Sequence, residues 1–252
     1  MDIRRQTQTI SSDGVSPEQP GPLCLGYDPG QHPDPAAIAL VRMEQRPVPG
    51  KWDPKAYVPE YVTPKGFRTP AHYGAPIMET HYMVHHMEVM HALPYPDQVI
   101  YLAELLREPP FWHRKVKVRV DITGVGTHPC EALQRELRLH PESKHIQVIG
   151  VRFVGGEVWN RSKQPESLGK GALVATLLQR LQWRLVHASP DIVDLAALQA
   201  ELEVFNREMD EATGNTQYGA QSGYHDDRVV SLGLGILEDV FAYEVRYSER
   251  VW

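Results

Sequence analysis

Cysteine is nearly absent from this chain, which has Cys24 and Cys130 in 252 residues. Two cysteines cannot build a disulfide scaffold or a four-cysteine zinc site, and their scarcity favours a reducing compartment.

Long hydrophobic runs are missing too. No segment approaches the ~20 continuous apolar residues that span a bilayer, and the first residues lack the apolar stretch of a signal peptide. We therefore predict a soluble, cytoplasmic protein with no membrane partner.

An excess of positive charge is also lacking, because 26 Lys and Arg residues face 32 Asp and Glu residues, giving a formal net charge of -6. A polyanion such as DNA is therefore not attracted by the chain as a whole. Any contact with nucleic acid must come from a local basic surface, and it would weaken as salt is added.

The size of the chain fits one large domain with a sizeable core, since 42% of the residues are hydrophobic and 23% are charged. Residues 1–21 are polar and contain Ser, Gly and Pro clusters, which predicts a flexible leader or linker. Residues 22–252 are predicted to form the domain. Within it, prolines and glycines recur without a period over about 46–76, which predicts an irregular surface insertion.

The apolar pattern predicts an α/β fold with a mixed five-stranded sheet, in which three antiparallel strands are followed by parallel ones and helices cover the faces. The expected strands are 22–28, 36–43, 81–93, 116–122 and 146–154. The expected helices begin near Asp97, Pro129, Leu173, Leu195 and Asp226. In the helix after Leu173, spacing predicts that Arg180 faces away from the core.

Three aspartates stand at the ends of these elements. Asp28 ends the first strand, Asp121 lies at the end of the fourth, and Asp227 stands at the start of the last helix beside Asp226. Each has an ordinary structural explanation as a turn or capping residue. Together they indicate more, because a right-handed crossover would place strands one and four side by side with both carboxyl ends at one edge. Carboxylates gathered there would repel one another unless a hard cation such as Mg²⁺ or Mn²⁺ neutralised them.

Four runs carry a family resemblance: Gly26-Tyr27-Asp28-Pro29-Gly30, Val120 to Gly126, Gly169-Lys170, and Tyr224 to Leu232. In order and approximate spacing they resemble the nuclease domain of the large terminase subunit of tailed bacteriophages. The resemblance implies an RNase H-like fold of the RuvC type. It also implies a DNA endonuclease that uses two Mg²⁺ or Mn²⁺ ions to cut concatemeric viral DNA during genome packaging.

The resemblance further implies a role for each acid. Asp28 is expected to bridge the two metals, with Asp121 and Asp227 each on one side. Asp34 is a further candidate ligand, with a solvated turn residue as the alternative. Asp226 competes with Asp227, because adjacent helix residues point about 100° apart and only one is expected to ligate directly.

Basic residues suggest where DNA would bind. The ammonium of Lys170, at the start of the long helix, could meet a phosphate, with a solvated lysine in a helix-entry loop as the alternative. Arg152, Arg161 and Lys163 could form a phosphate-tracking rim, with a solvated charged loop as the default for the last two. His225 precedes the acidic pair and could orient a carboxylate, or could pack at the helix start.

The chain departs from a full terminase in having no Gly-x-x-x-x-Gly-Lys-Ser/Thr loop, so a packaging ATPase is expected as a separate domain or subunit. The resemblance also implies the portal and the small terminase as partners, and the host cytoplasm, or a prophage origin, as the setting. The basic strand Lys115 to Arg119 is unusual, because a buried parallel strand normally reads as apolar. It leaves open how fully this strand is covered.

Two other functions remain open from the sequence. A Holliday-junction resolvase or a transposase-like nuclease of the same fold would prefer other DNA structures. A non-catalytic docking module would tether a packaging motor to DNA or to a portal.

Overall fold

The computed structural model describes residues 21–30, 34–58, 60–62, 66–108, 111, 114–155, 159–162, 164–188, 192, 195–211 and 226–237. The predicted leader lies almost wholly outside this part of the chain.

The described residues form ten strands and five α-helices. The strands are β1 (Leu23–Asp28), β2 (Ala36–Val58), β3 (Tyr61–Val62), β4 (Arg68–Thr69), β5 (His72–Met90), β6 (Val116–Asp121), β7 (Ile146–Val154), β8 (Trp159–Asn160), β9 (Glu166–Gly169) and β10 (Val186–Ala188). The α-helices are α1 (Tyr95–Leu105), α2 (Thr127–Arg138), α3 (Lys170–Gln182), α4 (Leu195–Glu211) and α5 (Asp227–Gly235). Short 3₁₀ helices at Gly124–Gly126 and Pro141–His145 precede α2 and β7.

Eight of the strands form one mixed sheet in the order β10-β5-β2-β1-β6-β7-β9-β8. Its centre is the predicted arrangement: β5, β2 and β1 are antiparallel neighbours, and β6 and β7 continue parallel to β1. The predicted mixed α/β architecture of RNase H-like type is therefore confirmed. The predicted strand count was too low, because β8, β9 and β10 are only two to four residues long and carry too little apolar pattern to be recognised.

The segment 46–76 is not the irregular insertion that was predicted. Strands β2 and β5, of 23 and 19 residues, stay paired as an antiparallel ribbon as far as Val58 and His72, with register shifts near Pro47 and Asp53. We call residues 47–78 the arm. Beyond Pro47, β2 is exposed or half-buried along its length, so this part of the arm stands away from the core. Pro49, Gly50 and Pro54 fall within these shifts in the pairing, which ribbons tolerate better than central strands.

The two faces of the sheet are covered by different helices. Leu25 and Tyr27 of β1 and Val118 of β6 pack into one apolar cluster with α1 and α2. The intervening Cys24 packs into a second cluster with α3, α4 and α5. Because side chains alternate along a strand, every second residue of β1 and β6 faces the α3 and α5 side.

Helix α5 lies directly on β1 because of a glycine. A Cβ atom on Gly26 would stand 1.8 Å from the carbonyl oxygen of Ser231 and 2.7 Å from the amide nitrogen of Gly235. No other residue fits at this approach, since real side chains do not tolerate such distances to backbone atoms. The glycine therefore fixes the depth at which α5, with the two acids at its beginning, meets the end of β1.

Candidate metal centre

Asp28 and Asp121 end neighbouring strands at the same edge of the sheet. Strands β1 and β6 pair in parallel with Tyr27 beside Val120, so the aspartates that follow are also neighbours. Tyr27 and Val120 both face the α1 and α2 cluster. By alternation, both aspartates face the other side, where α3 and α5 lie. The expected meeting of these two strand ends is found.

The turn after β6 holds the carboxylate of Asp121. The amide of Thr123 donates a hydrogen bond of 2.7 Å to Asp121 Oδ1, as expected for an aspartate that ends a strand. Gly126 lies so close beneath this turn that a Cβ atom would stand 1.9 Å from the carbonyl oxygen of Asp121. The side chain is therefore oriented before any ligand arrives.

The acids of α5 are placed by contacts at both ends of that helix. At its beginning, the amides of Arg228 and Val229 donate to Glu201 Oε2 at 3.1 and 3.2 Å, and Arg228 Nη1 donates to Glu201 Oε1 at 2.6 Å. At its end, Arg180 donates to the carbonyl oxygen of Ile236. An acid at the amino end and a base at the carboxyl end both oppose the helix dipole and satisfy its unpaired backbone groups.

Arg180 and Glu201 were not recognised as positioning residues from the sequence. Arg180 was predicted to face away from the core, which is wrong, because its guanidinium also lies 4.5 Å from the centre of the Tyr82 ring. Glu201 did leave a signal. It falls on the apolar stripe of α4 between Leu198 and Leu202, where a carboxylate is unexpected unless it has partners.

The acids lie close enough together for their charges to change one another's pKa values. Burial raises the pKa of Asp28 well above its usual value, and the charges of Asp121, Asp227 and Asp226 raise it further. The pKa of Asp121 is also raised, mainly by burial and partly by Asp226, although its hydrogen bonds with Thr123 act in the opposite direction. We call these four residues the acidic cluster. Ionising all of it is unfavourable without added positive charge.

One positive charge is already present. Lys170 is the first residue of α3, directly after β9, and its Nζ forms an ion pair with Asp226 Oδ2. The same ammonium lowers the pKa of both Asp28 and Asp121. The alternative explanation of Asp226, as a cap of α5, is not found: the residue occupies the N-cap position, but its side chain makes no capping hydrogen bond. It points instead to Lys170.

Asp227 is the first residue of α5 and is half-buried, with Oδ2 out of contact with solvent. Asp34 differs, because it is exposed. Besides burial, Asp34 and Asp28 both raise the pKa of Tyr95, so Asp34 lies on the same side of the fold, near that phenol.

The predicted DNA contacts are only partly brought together. Arg152 is exposed, and by alternation with the buried Val151 it lies on the face of the sheet away from the acidic cluster. Arg161 lies over the ring of Trp159, with 4.5 Å between its Cζ and the ring centre. Lys163 and His225 fall outside the described residues.

The basic strand β6 has a simple explanation. Arg119 is 1% exposed, and its Nε lies 3.9 Å from Glu166 Oε2, which also accepts a hydrogen bond of 3.1 Å from Trp159 Nε1. The strand is therefore covered, and its arginine is accommodated by an acid on β9.

The donor set of the acidic cluster fits a hard cation. Carboxylate oxygens are the ligands that Mg²⁺ and Mn²⁺ prefer. In the described part of the chain, no three His, Cys, Asp or Glu side chains are placed closely enough to hold an ion as they stand. Side chains would have to move to hold an ion, and one of the carboxylates, that of Asp226, is paired with the ammonium of Lys170.

No family model and no curated protein matches the chain. Among solved structures, the chain is similar to the human cytomegalovirus terminase nuclease domain, with a TM-score of 0.42 and 12% identity over 85% of this chain and 82% of that one. The Mn-soaked, inhibitor-bound form gives 0.40 and 12% over 85% and 81%. The Mn-soaked form gives 0.38 and 13% over 85% and 81%.

Similarity at this distance says nothing about the chemistry of this chain. Within the described ranges, the helices include none that is both long and apolar enough to cross a membrane.

Proposed function

We propose that the chain is a metal-dependent DNA endonuclease of RNase H-like type that cuts concatemeric viral DNA during genome packaging. The observation that carries the proposal is the convergence of Asp28, Asp121, Asp226 and Asp227, which come from three distant segments, on one edge of the sheet. Carboxylates with raised pKa values that share a half-buried space are typical of functional sites. The motif resemblance supports the packaging role.

Each residue of the cluster has a task under this proposal. Asp28, whose pKa responds to all three other acids, takes the central position and would bridge two cations. Asp121, oriented by Thr123, would hold one of them, and Asp227 or Asp226 the other. When bound, a pair of Mg²⁺ or Mn²⁺ ions activates a water molecule and stabilises the leaving oxygen of a phosphodiester.

The proposed packaging role also implies the partners of the chain. The substrate is double-stranded DNA, and a packaging ATPase domain or subunit, a portal and a small terminase would deliver it in the host cytoplasm. Among the described residues, Lys170 is well placed to meet a DNA phosphate, because its side chain is 29% exposed beside the acidic cluster.

Nicking of supercoiled plasmid in Mn²⁺ tests the proposal. The wild-type chain should cut, and Asp121→Asn should reduce the rate at least about hundredfold, since it removes a ligand charge at nearly constant shape. Asp53→Asn, on the exposed arm, is the matched control and should cut normally. Chelation of the metal should stop the reaction.

Equal rates for Asp121→Asn and wild type would reject the proposed site. A folded wild-type chain that never cuts, with or without added ATPase, would favour a docking module. Adding a four-way junction to the same assay separates the packaging role from a resolvase, because a resolvase would cut the junction in preference to linear duplex.

A further inference from the structure

One ammonium group stands beside the acidic cluster at the end of β1. Lys170 forms an ion pair with Asp226, and its charge also acts on Asp28 and Asp121. The lysine side chain is 29% exposed and that of Asp226 17% exposed, so the pair is largely buried but still reached by solvent.

This arrangement has a simple electrostatic consequence. A lysine ammonium is a compact charge on a flexible stem, so it can occupy a space between carboxylates and can also leave it by rotation of the side chain. While it stays, it offsets part of the repulsion within the acidic cluster. It also repels any second cation, since like charges a few ångströms apart in a half-buried space interact strongly.

We propose that Lys170 is the internal counter-ion of the acidic cluster, and that its ammonium has to leave Asp226 before the cluster can take up a divalent cation. This inference rests on the proposed function and adds a form of regulation to it. The protein without DNA would hold metal weakly because its own lysine competes for the same oxygen atoms.

The group that draws the lysine away is a phosphate. A DNA strand laid across the edge of the sheet brings phosphate oxygens to the exposed side of Lys170, and an ammonium binds phosphate well as a point charge. The carboxylate of Asp226 is then released to turn towards the metal. Metal uptake and DNA binding therefore assist each other, and the site is complete only when its substrate is present.

Titration of the full chain with Mn²⁺ in the absence of DNA tests the first part, with free Mn²⁺ measured by its electron paramagnetic resonance signal. Lys170→Met should bind Mn²⁺ about tenfold more tightly than wild type, because it removes a competing charge and keeps the apolar stem. Lys170→Arg should stay within about twofold of wild type, since it keeps the charge. Lys144→Met removes an exposed lysine ahead of β7, at the other end of the sheet, and should leave the affinity unchanged.

Asp121→Asn in the same titration separates two kinds of failure. If it weakens Mn²⁺ binding while Lys170→Met binds like wild type or more weakly, the counter-ion role is rejected and the metal site stands. If neither wild type nor Lys170→Met binds Mn²⁺ and neither nicks plasmid, the proposed function fails as well.

Binding of a 20-base-pair duplex in EDTA tests the second part. The Lys170→Met variant should bind several-fold more weakly than wild type, and the slope of log affinity against log salt should fall by about one, as expected for the loss of one phosphate contact. An unchanged slope would show that Lys170 does not meet the phosphate. The circular dichroism of each variant confirms that it is folded.

Discussion

At the scale of single residues, Asp28 is placed where its own charge is unfavourable. Burial and three neighbouring acids raise its pKa, and one ammonium compensates only in part. Under the proposed function, such a residue lowers the stability of the metal-free protein and supplies a ligand for the metal.

Asp28→Asn should therefore raise the free energy of unfolding of the metal-free protein at pH 7, by about 1–2 kcal/mol, the usual gain when an unfavourable functional group is removed. Urea unfolding in EDTA measures this. The exposed Asp34 provides the control, because Asp34→Asn should change stability by no more than about 0.5 kcal/mol. A loss of stability in Asp28→Asn would contradict the electrostatics described for the cluster.

The pH dependence has a definite sign. Because the pKa of Asp28 is raised on folding, protonation favours the folded state, and this contribution is lost as the pH rises through the raised value. The advantage of Asp28→Asn should therefore be largest at neutral pH and shrink as the pH falls towards the ordinary value of 3.8. Urea unfolding at several pH values checks this, and a constant difference between the two proteins would contradict it.

Single residues were predictable from the sequence only where local pattern decided them. Asp28 and Asp121 could be identified because apolar runs mark the ends of the strands that carry them. The pairing of Lys170 with Asp226, and the contact of Glu201 with α5, could not, since each joins elements whose packing no local pattern reveals. The direct metal ligands remain predictions.

At the scale of elements, α5 depends on a carboxylate from another helix. Glu201→Gln should destabilise the fold by about 0.5–2 kcal/mol, the usual cost of losing a helix cap, because Glu201 Oε2 accepts hydrogen bonds from two free amides in the first turn of α5, those of Arg228 and Val229. Hydrogen exchange of the Arg228 and Val229 amides should accelerate. Glu203→Gln, an exposed neighbour on α4, is the matched control and should leave both amides protected.

Plasmid nicking adds a functional measurement to this pair of variants. The Glu201→Gln variant should lose activity although Glu201 would not touch the substrate, since α5 carries Asp226 and Asp227. Unchanged exchange at Arg228 would show that the helix start is held by other contacts.

The contact between α5 and β1 gives a second prediction for an element. Gly26→Ala should cost about 1–3 kcal/mol or more, because the added methyl meets backbone atoms that cannot move aside. Gly155→Ala adds the same methyl where nothing lies within 4 Å and should be nearly neutral. Thermal unfolding of the two variants compares them, and equal melting temperatures would contradict the close packing.

Elements were predicted best where they are buried. The bounds of β1, β6 and β7 agree with the apolar runs to within a residue, because a covered strand must be apolar on at least one face. The outer halves of β2 and β5 were missed, since an exposed ribbon needs no such pattern and its prolines resemble loop punctuation. The outer halves of the two strands are held together by backbone hydrogen bonds, which leave no pattern in the sequence of side chains.

At the scale of the whole molecule, the arm extends beyond the end of the sheet opposite the acidic cluster, because β2 runs antiparallel to β1 from Ala37, beside Asp28, towards the amino end of β1. Replacing 47–78 with Asn-Gly, between the paired Arg46 and Glu79, should therefore leave the core folded and plasmid nicking intact.

The change in the free energy of unfolding should stay within about 1 kcal/mol, as for other surface changes that remove few buried contacts. A deeper replacement that ends at the buried Met43 and Tyr82 is the contrasting variant and should unfold the protein. Loss of nicking by the first replacement with an intact core would give the arm a role in DNA binding.

The order of the acids along the chain has a consequence for biosynthesis. During translation Asp28 is synthesised first, Asp121 follows about ninety residues later, and Asp226 and Asp227 follow after about a hundred more. A partly synthesised chain that ends before Asp226 would carry only the carboxylates of Asp28 and Asp121. Because its site would be incomplete, it would not cut the genome of the cell that makes it. Under the proposed function, toxicity begins only when the last helix docks.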